Sequence, residues 1–172
     1  MLNKKAVMII APIEFRDEEL FETREVLEAA GVAVTIASTI TSECIGMLKG
    51  SVKPDMLIMD VRVNDFDAFI LVGGIGSSCY WNDSIMHKII IDAVALNKVV
   101  GAICIAPVTL AYAGVLEGKR VTCWKSEQGK IVSKGAIYTG ARVTYDGNII
   151  TADGPTSATQ FGRSLVKAFE IM

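Results

Sequence analysis

Residues 98–113 read K-V-V-G-A-I-C-I-A-P-V-T-L-A-Y-A. Lys98 to Ile103 is a β-rich apolar run, and Pro107 stands where the first turn of a helix needs no backbone N–H, so Pro107 to Ala113 reads as the helix that follows. Cys104 sits between strand and helix with small residues, Ala102 and Ala106, two places to either side. That is the layout of a nucleophile elbow, whose tight turn tolerates only small neighbours. A thiol there faces the positive end of a helix, which predicts a pKa below that of free cysteine. A cysteine simply packed in an apolar segment fits the same residues, because cysteine is among the most buried residue types.

The chain repeats this alternation outward from the elbow. Lys5 to Ile10 and Val32 to Ala37 read as strands around a helix over Asp17 to Ala30, with Gly31 as its stop. Asp67 to Val72 is a strand that ends at Gly73-Gly74, and Ser84 to Leu96 is the helix after it. Arg120 to Cys123 and Ile149 to Ala152 read as further strands, and Thr156 to Phe169 as a closing helix. Thr39 to Pro54 carries only short runs broken by Gly46 and Gly50, consistent with a small hairpin or edge strands. Alternating strands and helices predict an α/β fold in three layers, a doubly wound and mainly parallel sheet, as one domain over residues 1–172. Ligands of such sheets collect at the carboxyl ends of the strands. The loops Ala11 to Arg16, Gly73 to Trp81 and Cys104 to Pro107 are therefore the candidate site.

Composition narrows the function. Half the chain, 51%, is hydrophobic, as strands covered on both faces require. Seventeen basic and nineteen acidic residues give a net charge of -2 without a basic stripe, which argues against nucleic acid as a partner. Val99 to Leu116 is uncharged, but Gly101, Pro107 and Gly114 interrupt it, so a buried strand and helix explain it better than a membrane span. No export signal is visible at the start, and a cytoplasmic, reducing setting is expected. The four cysteines (Cys44, Cys79, Cys104, Cys123) form no C-x-x-C and His87 is the one histidine, so neither a metal site nor a disulfide framework is expected. No cofactor is implied either, since Gly73-Gly74 lacks the spacing of a phosphate loop. Paired glycines at a strand end do let bare backbone approach a neighbour, and the amides of Gly74 and Ile105 could then form an oxyanion hole. Glu14, before an acidic helix start, reads on its own as a solvated charge.

The run I-E-F-R-D-E-E-L (Ile13 to Leu20), the strand ending at Gly74, the segment A-I-C-I-A-P (Ala102 to Pro107) and the late D-G-P (Asp153 to Pro155) together resemble the DJ-1/PfpI superfamily, in that order and over nearly the whole chain. The resemblance implies the flavodoxin-like, class I glutamine amidotransferase-like fold. It implies Cys104 as the reactive residue, Glu14 as the glutamate that contacts it, and Gly74 and Ile105 as the amides around it. Gly73, Trp124 and Pro155 are expected at the pocket. A carboxyl beside a thiolate resists ionisation, so Glu14 is expected protonated, donating to Cys104 and to a sulfinate formed there.

The chain departs from the family in its bases. The histidine that follows the cysteine in the protease-like branch is Ile105 here, and the position from which other members draw a histidine is Trp124. His87 matches no family histidine and is expected at the surface. Peptidase chemistry is accordingly disfavoured, since acyl transfer uses a Cys-His pair. A redox-sensing, stress-protective role ranks first. Glyoxalase or deglycase chemistry on small carbonyls ranks second, and a chaperone-like module using Tyr80-Trp81 ranks behind both. An oxidant or a small carbonyl is the expected ligand, and a homodimer, with a hexamer as rival, the expected assembly.

Overall fold

The structure, a computed structural model, describes residues 1–171. In chain order its elements are β1 (Lys4–Ile9), β2 (Ile13–Phe15), α1 (Asp17–Ala29), β3 (Val32–Ser38), β4 (Cys44–Gly46), β5 (Ser51–Val52), β6 (Met56–Leu57), β7 (Ala68–Leu71), α2 (Ser84–Ala95), β8 (Val99–Ile103), α3 (Pro107–Tyr112), β9 (Arg120–Val121), α4 (Gln128–Val132), β10 (Ile137–Tyr138), β11 (Val143–Asp146), β12 (Ile149–Ala152) and α5 (Ala158–Ile171). Short 3-10 segments join several of them, among them Ile75–Tyr80 and Pro155–Ser157.

Seven strands form one sheet in the order β11-β12-β8-β7-β1-β3-β6, parallel throughout except for β11 against β12. Side chains of a strand alternate between faces, so the central strands feed two separate cores. Ala6, Met8 and Ile10 pack with Ile70, Phe161 and Leu165 under α1 and α5. Val7, Ile9 and Ala11 pack with Leu71, Ile90 and Leu110 under α2 and α3. The strands need no polar side because both faces are covered, as the hydrophobic content implied. Burying one side chain of Phe or Leu size contributes about 1.5–3 kcal/mol. No helix among the described residues is long and apolar enough to cross a membrane.

Two parts of the sheet differ from the sequence reading. Arg120 to Cys123 was expected as a strand of the main array, yet β9 holds two residues and pairs only with β10. The cause lies at Thr122, whose amide donates to the Thr151 side chain at 2.9 Å instead of a backbone ladder. The antiparallel edge strand β11 was not anticipated; the Asp146-Gly147-Asn148 turn, with Gly147 at φ 61°, was its available signal. Between Thr39 and Pro54, β4 and β5 make the small hairpin the weak pattern allowed.

The sheet meets α5 at Gly101 because nothing larger fits. A Cβ there would stand 2.9 Å from Leu165 Cδ2 and 3.0 Å from Phe161 Cζ. Gly101→Ala is expected to destabilise the fold by about 1–3 kcal/mol in urea unfolding, as overpacked cores do, with Leu165→Ala in the same chain recovering part of that loss.

Candidate functional site

The carboxyl ends of β1, β7, β8 and β12 place four loops together, and backbone hydrogen bonds lock them. The Arg16 amide donates to Gly73 O at 3.0 Å, the Cys104 amide to Ala152 O at 2.9 Å, and the Trp124 amide to Cys104 O at 2.7 Å. The Trp81 indole N–H donates to Ile105 O at 3.2 Å, and the Tyr80 hydroxyl to Ile10 O at 2.7 Å. These bonds hold Cys104 at φ 65°, a left-handed conformation that costs a residue with a Cβ about 1–3 kcal/mol. The strand, the sharp turn and α3 together are the elbow that the sequence predicted.

Four acidic residues crowd the segment 14–19, and each has a separate role. Glu14 lies in β2 at φ 58° and is exposed to solvent. Asp17 is buried and accepts the amides of Leu48 and Gly50, both at 2.7 Å. Glu18 pairs with the Arg16 guanidinium at 2.8 Å. Glu19 is the one that reaches Cys104. It projects inward from the first turn of α1, fully buried, and its Oε2 accepts the Gly73 amide at 2.8 Å. Its Oε1 is enclosed with no hydrogen-bond partner, and the titratable side chain it faces and is coupled to is the Cys104 thiol.

The expectation for Glu14 is thus corrected to Glu19. The physical reason is the helix phase: Glu19, Thr23 and Leu27 stand four residues apart on the buried face of α1, whereas β2 turns Glu14 outward. A glutamate on that apolar stripe was the signal available in the sequence.

Gly73 makes the encounter of acid and thiol possible. A Cβ there would sit 2.5 Å from Glu19 Oε2 and 2.6 Å from Cys104 Cβ, between the two groups. Gly74 is at φ 96°, and a Cβ on it would collide with the Arg16 amide. Its own amide and that of Ile105 face the Cys104 sulfur and favour its ionised form. Both amides predicted from the sequence therefore meet at the expected atom.

The electrostatics differ from the sequence reading. Burial, first, and the neighbouring Glu19 charge push the Cys104 thiol above the ordinary range, and the amides of Gly74 and Ile105 offset only part of that. A depressed thiol pKa was expected from the helix, but α3 is only six residues long and starts three positions after Cys104. Burial also raises Glu19, to about 8, against the pull of its hydrogen bonds to Cys104 and the Gly73 amide. At neutral pH the carboxyl therefore holds its proton, and the pair gives up its first proton only in mildly alkaline solution.

Above Cys104, which is 8% exposed, lies a cavity of about 280 Å³ lined by Arg16, Met47, Ile75, Trp124 and Pro155 as well as the cradle residues Gly74 and Ile105. Trp124 and Pro155 are thus at the pocket as expected, while Gly73 lies beneath it. No histidine lines this cavity: His87 is half-buried on α2, its Nε2 2.7 Å from Trp81 O, where it braces the loop after β7. Neither Cys79, which is exposed, nor Cys123, which is buried, lines it. Tyr80 is buried and Trp81 half-buried, so the apolar surface expected of a chaperone-like module is engaged inside the fold. A larger groove, of about 1060 Å³, runs between residues 58–65 and α2, away from all of these groups.

Comparison with known proteins shows the family and the fold. The DJ-1/PfpI family model matches residues 4–168, and the chain belongs to that family. It is 43% identical to an uncharacterised protein of Methanocaldococcus jannaschii, over 99% of this chain and 84% of that one. It is 29% identical to the glutathione-independent glyoxalase DJR-1.2 of Caenorhabditis elegans, over 98% of this chain and 90% of the other. Among solved structures, a ThiJ/PfpI domain protein from Brachyspira murdochii superimposes with a TM-score of 0.95 at 30% identity, covering 98% of this chain and 97% of its own.

The raised Glu19 pKa makes a prediction about stability. Between the unfolded value of 4.5 and about 8 the folded chain keeps a proton that the unfolded chain has released. Each pH unit in that window therefore lowers the unfolding free energy by about 1.4 kcal/mol from this group alone. Glu19→Gln, which keeps an acceptor for Gly73 and a donor for Cys104, is expected to remove that slope in urea unfolding across the window. Glu14→Gln is expected to leave it unchanged.

Proposed function

We propose that this member of the family works through Cys104 as a redox-responsive, stress-protective thiol whose oxidation is steered by Glu19. A peroxide would transfer one oxygen to the sulfur and leave as water, giving the sulfenic acid. A second peroxide would repeat the step and give the sulfinic acid. The observation that carries the reading is the set of donors around one sulfur: the amides of Gly74 and Ile105 and a carboxyl that is protonated at neutral pH. Sulfinate oxygens are good acceptors, and these donors would hold them. The high thiol pKa fits a centre that reacts slowly at rest and more readily as pH rises. The reading presumes a reducing, cytoplasmic setting in which Cys104 starts as the thiol.

A second reading, turnover of small carbonyl compounds, is supported by the size of the cavity, the Arg16 side chain on its wall, and the name of the Caenorhabditis elegans relative. The sulfur would add to an aldehyde carbon, the π pair would pass to the oxygen, and Glu19 would be the proton carrier. Acyl-transfer hydrolysis has less support, because no histidine lines the cavity at Cys104 to act as its base.

Intact-protein mass spectrometry after graded peroxide separates the readings. The redox account expects one stable two-oxygen adduct that disappears in Cys104→Ser and advances to three oxygens in Glu19→Leu. An adduct that persists in Cys104→Ser would refute it. Steady turnover of methylglyoxal by the wild type, abolished in Cys104→Ser, would favour the enzyme instead.

A further inference from the structure

The cavity above Cys104 has a neighbour. A second chamber of about 240 Å³ is lined by Cys123, Lys125, Tyr138, Asp153 and Thr156, and Trp124 is the one residue that lines both spaces. Its position is fixed from two sides. The Trp124 amide donates to Cys104 O at 2.7 Å, and its ring lies against Gly154, where a Cβ would stand 2.8 Å from both Cε3 and Cζ3. Gly154 is at φ 166°, extended backbone open to any residue. The ring, and not the chain conformation, is therefore what excludes a side chain at 154.

We propose that the Trp124 indole is a specificity-determining partition: it separates the first cavity, which takes compact electrophiles at Cys104, from a preformed polar subsite suited to a hydroxyl- or amine-bearing tail. The inference rests on the reading of Cys104 as the reactive group. Polarity on the far side supports it. Tyr138, Cys123 and Asp153 line this space together, and Asp153 Oδ1 accepts the Ser157 hydroxyl at 2.5 Å. Lys125 adds a cation at the rim of that chamber. The first cavity has only Arg16 as a charged side chain in its lining. A peroxide or a short α-oxoaldehyde needs only the first space. A longer, polyhydroxylated carbonyl compound would have to occupy both, and the indole stands between them.

The test compares two alkylating reagents of different bulk, iodoacetamide and an N-arylmaleimide, in a Cys79→Ser background, because Cys79 is the one exposed thiol of the four. Modification at Cys104 is read by peptide mass mapping. Trp124→Ala is expected to raise the maleimide-to-iodoacetamide rate ratio about tenfold or more, the scale on which pocket shape discriminates, while Trp124→Phe retains most of the discrimination. Gly154→Ala, which displaces the ring without removing it, is expected to raise the ratio by a smaller factor, and it answers the question if Trp124→Ala fails to fold. A ratio that stays within about twofold of wild type in a folded Trp124→Ala or Gly154→Ala chain overturns the partition. If Cys104 reacts with neither reagent in any variant, the reactive-thiol reading itself falls.

Discussion

The site depends on one buried carboxyl held against one buried thiol. Glu19 is removed from water, takes one hydrogen bond from the Gly73 amide, and is coupled to the Cys104 thiol beside it. A charge so placed lacks solvation, and a second charge beside it would add repulsion. The pair therefore keeps its protons at neutral pH and behaves as a unit. Every other feature near it serves that contact: the missing side chain at Gly73 gives the two groups room, and the amides of Gly74 and Ile105 address the sulfur from the opposite loops.

The doubly wound sheet supplies what such a contact needs, which is rigidity at several strand ends at once. Cys104 is bonded through its amide to β12 and through its carbonyl to Trp124, so the strained turn is held from both sides. Trp81 bridges the loop after β7 to Ile105, and His87 in turn anchors the Trp81 carbonyl. The histidine thus supports the scaffold and stands apart from the cavity at Cys104. The polar groups nearest the sulfur are backbone amides and a carboxylic acid, with the Trp124 indole on the cavity wall.

Much of this was legible from residues alone. The strand and helix bounds around Cys104, the parallel order, and the amides of Gly74 and Ile105 follow from apolar runs punctuated by glycine and proline. The identity of the acid was harder to read. Within I-E-F-R-D-E-E-L four carboxylates compete, and choosing among them requires the phase of α1 relative to the sheet, which is a tertiary quantity. The thiol pKa was misjudged for a related reason: a helix dipole can be inferred from sequence, whereas the desolvation that outweighs it depends on how the loops close over the sulfur. The short strand β10 and its pairing with β9 also escaped, because two-residue pairings leave no periodicity.

The protonation of Glu19 is the most direct measure of the account. A carbon-13 NMR titration of the glutamate side-chain carboxyls, with Glu19 assigned by its loss in Glu19→Gln, is predicted to show this group changing near pH 8. A midpoint in the ordinary carboxylate range, near 4.5, would contradict the account, since a free anion beside Cys104 would repel a thiolate and could not donate to its oxidised forms.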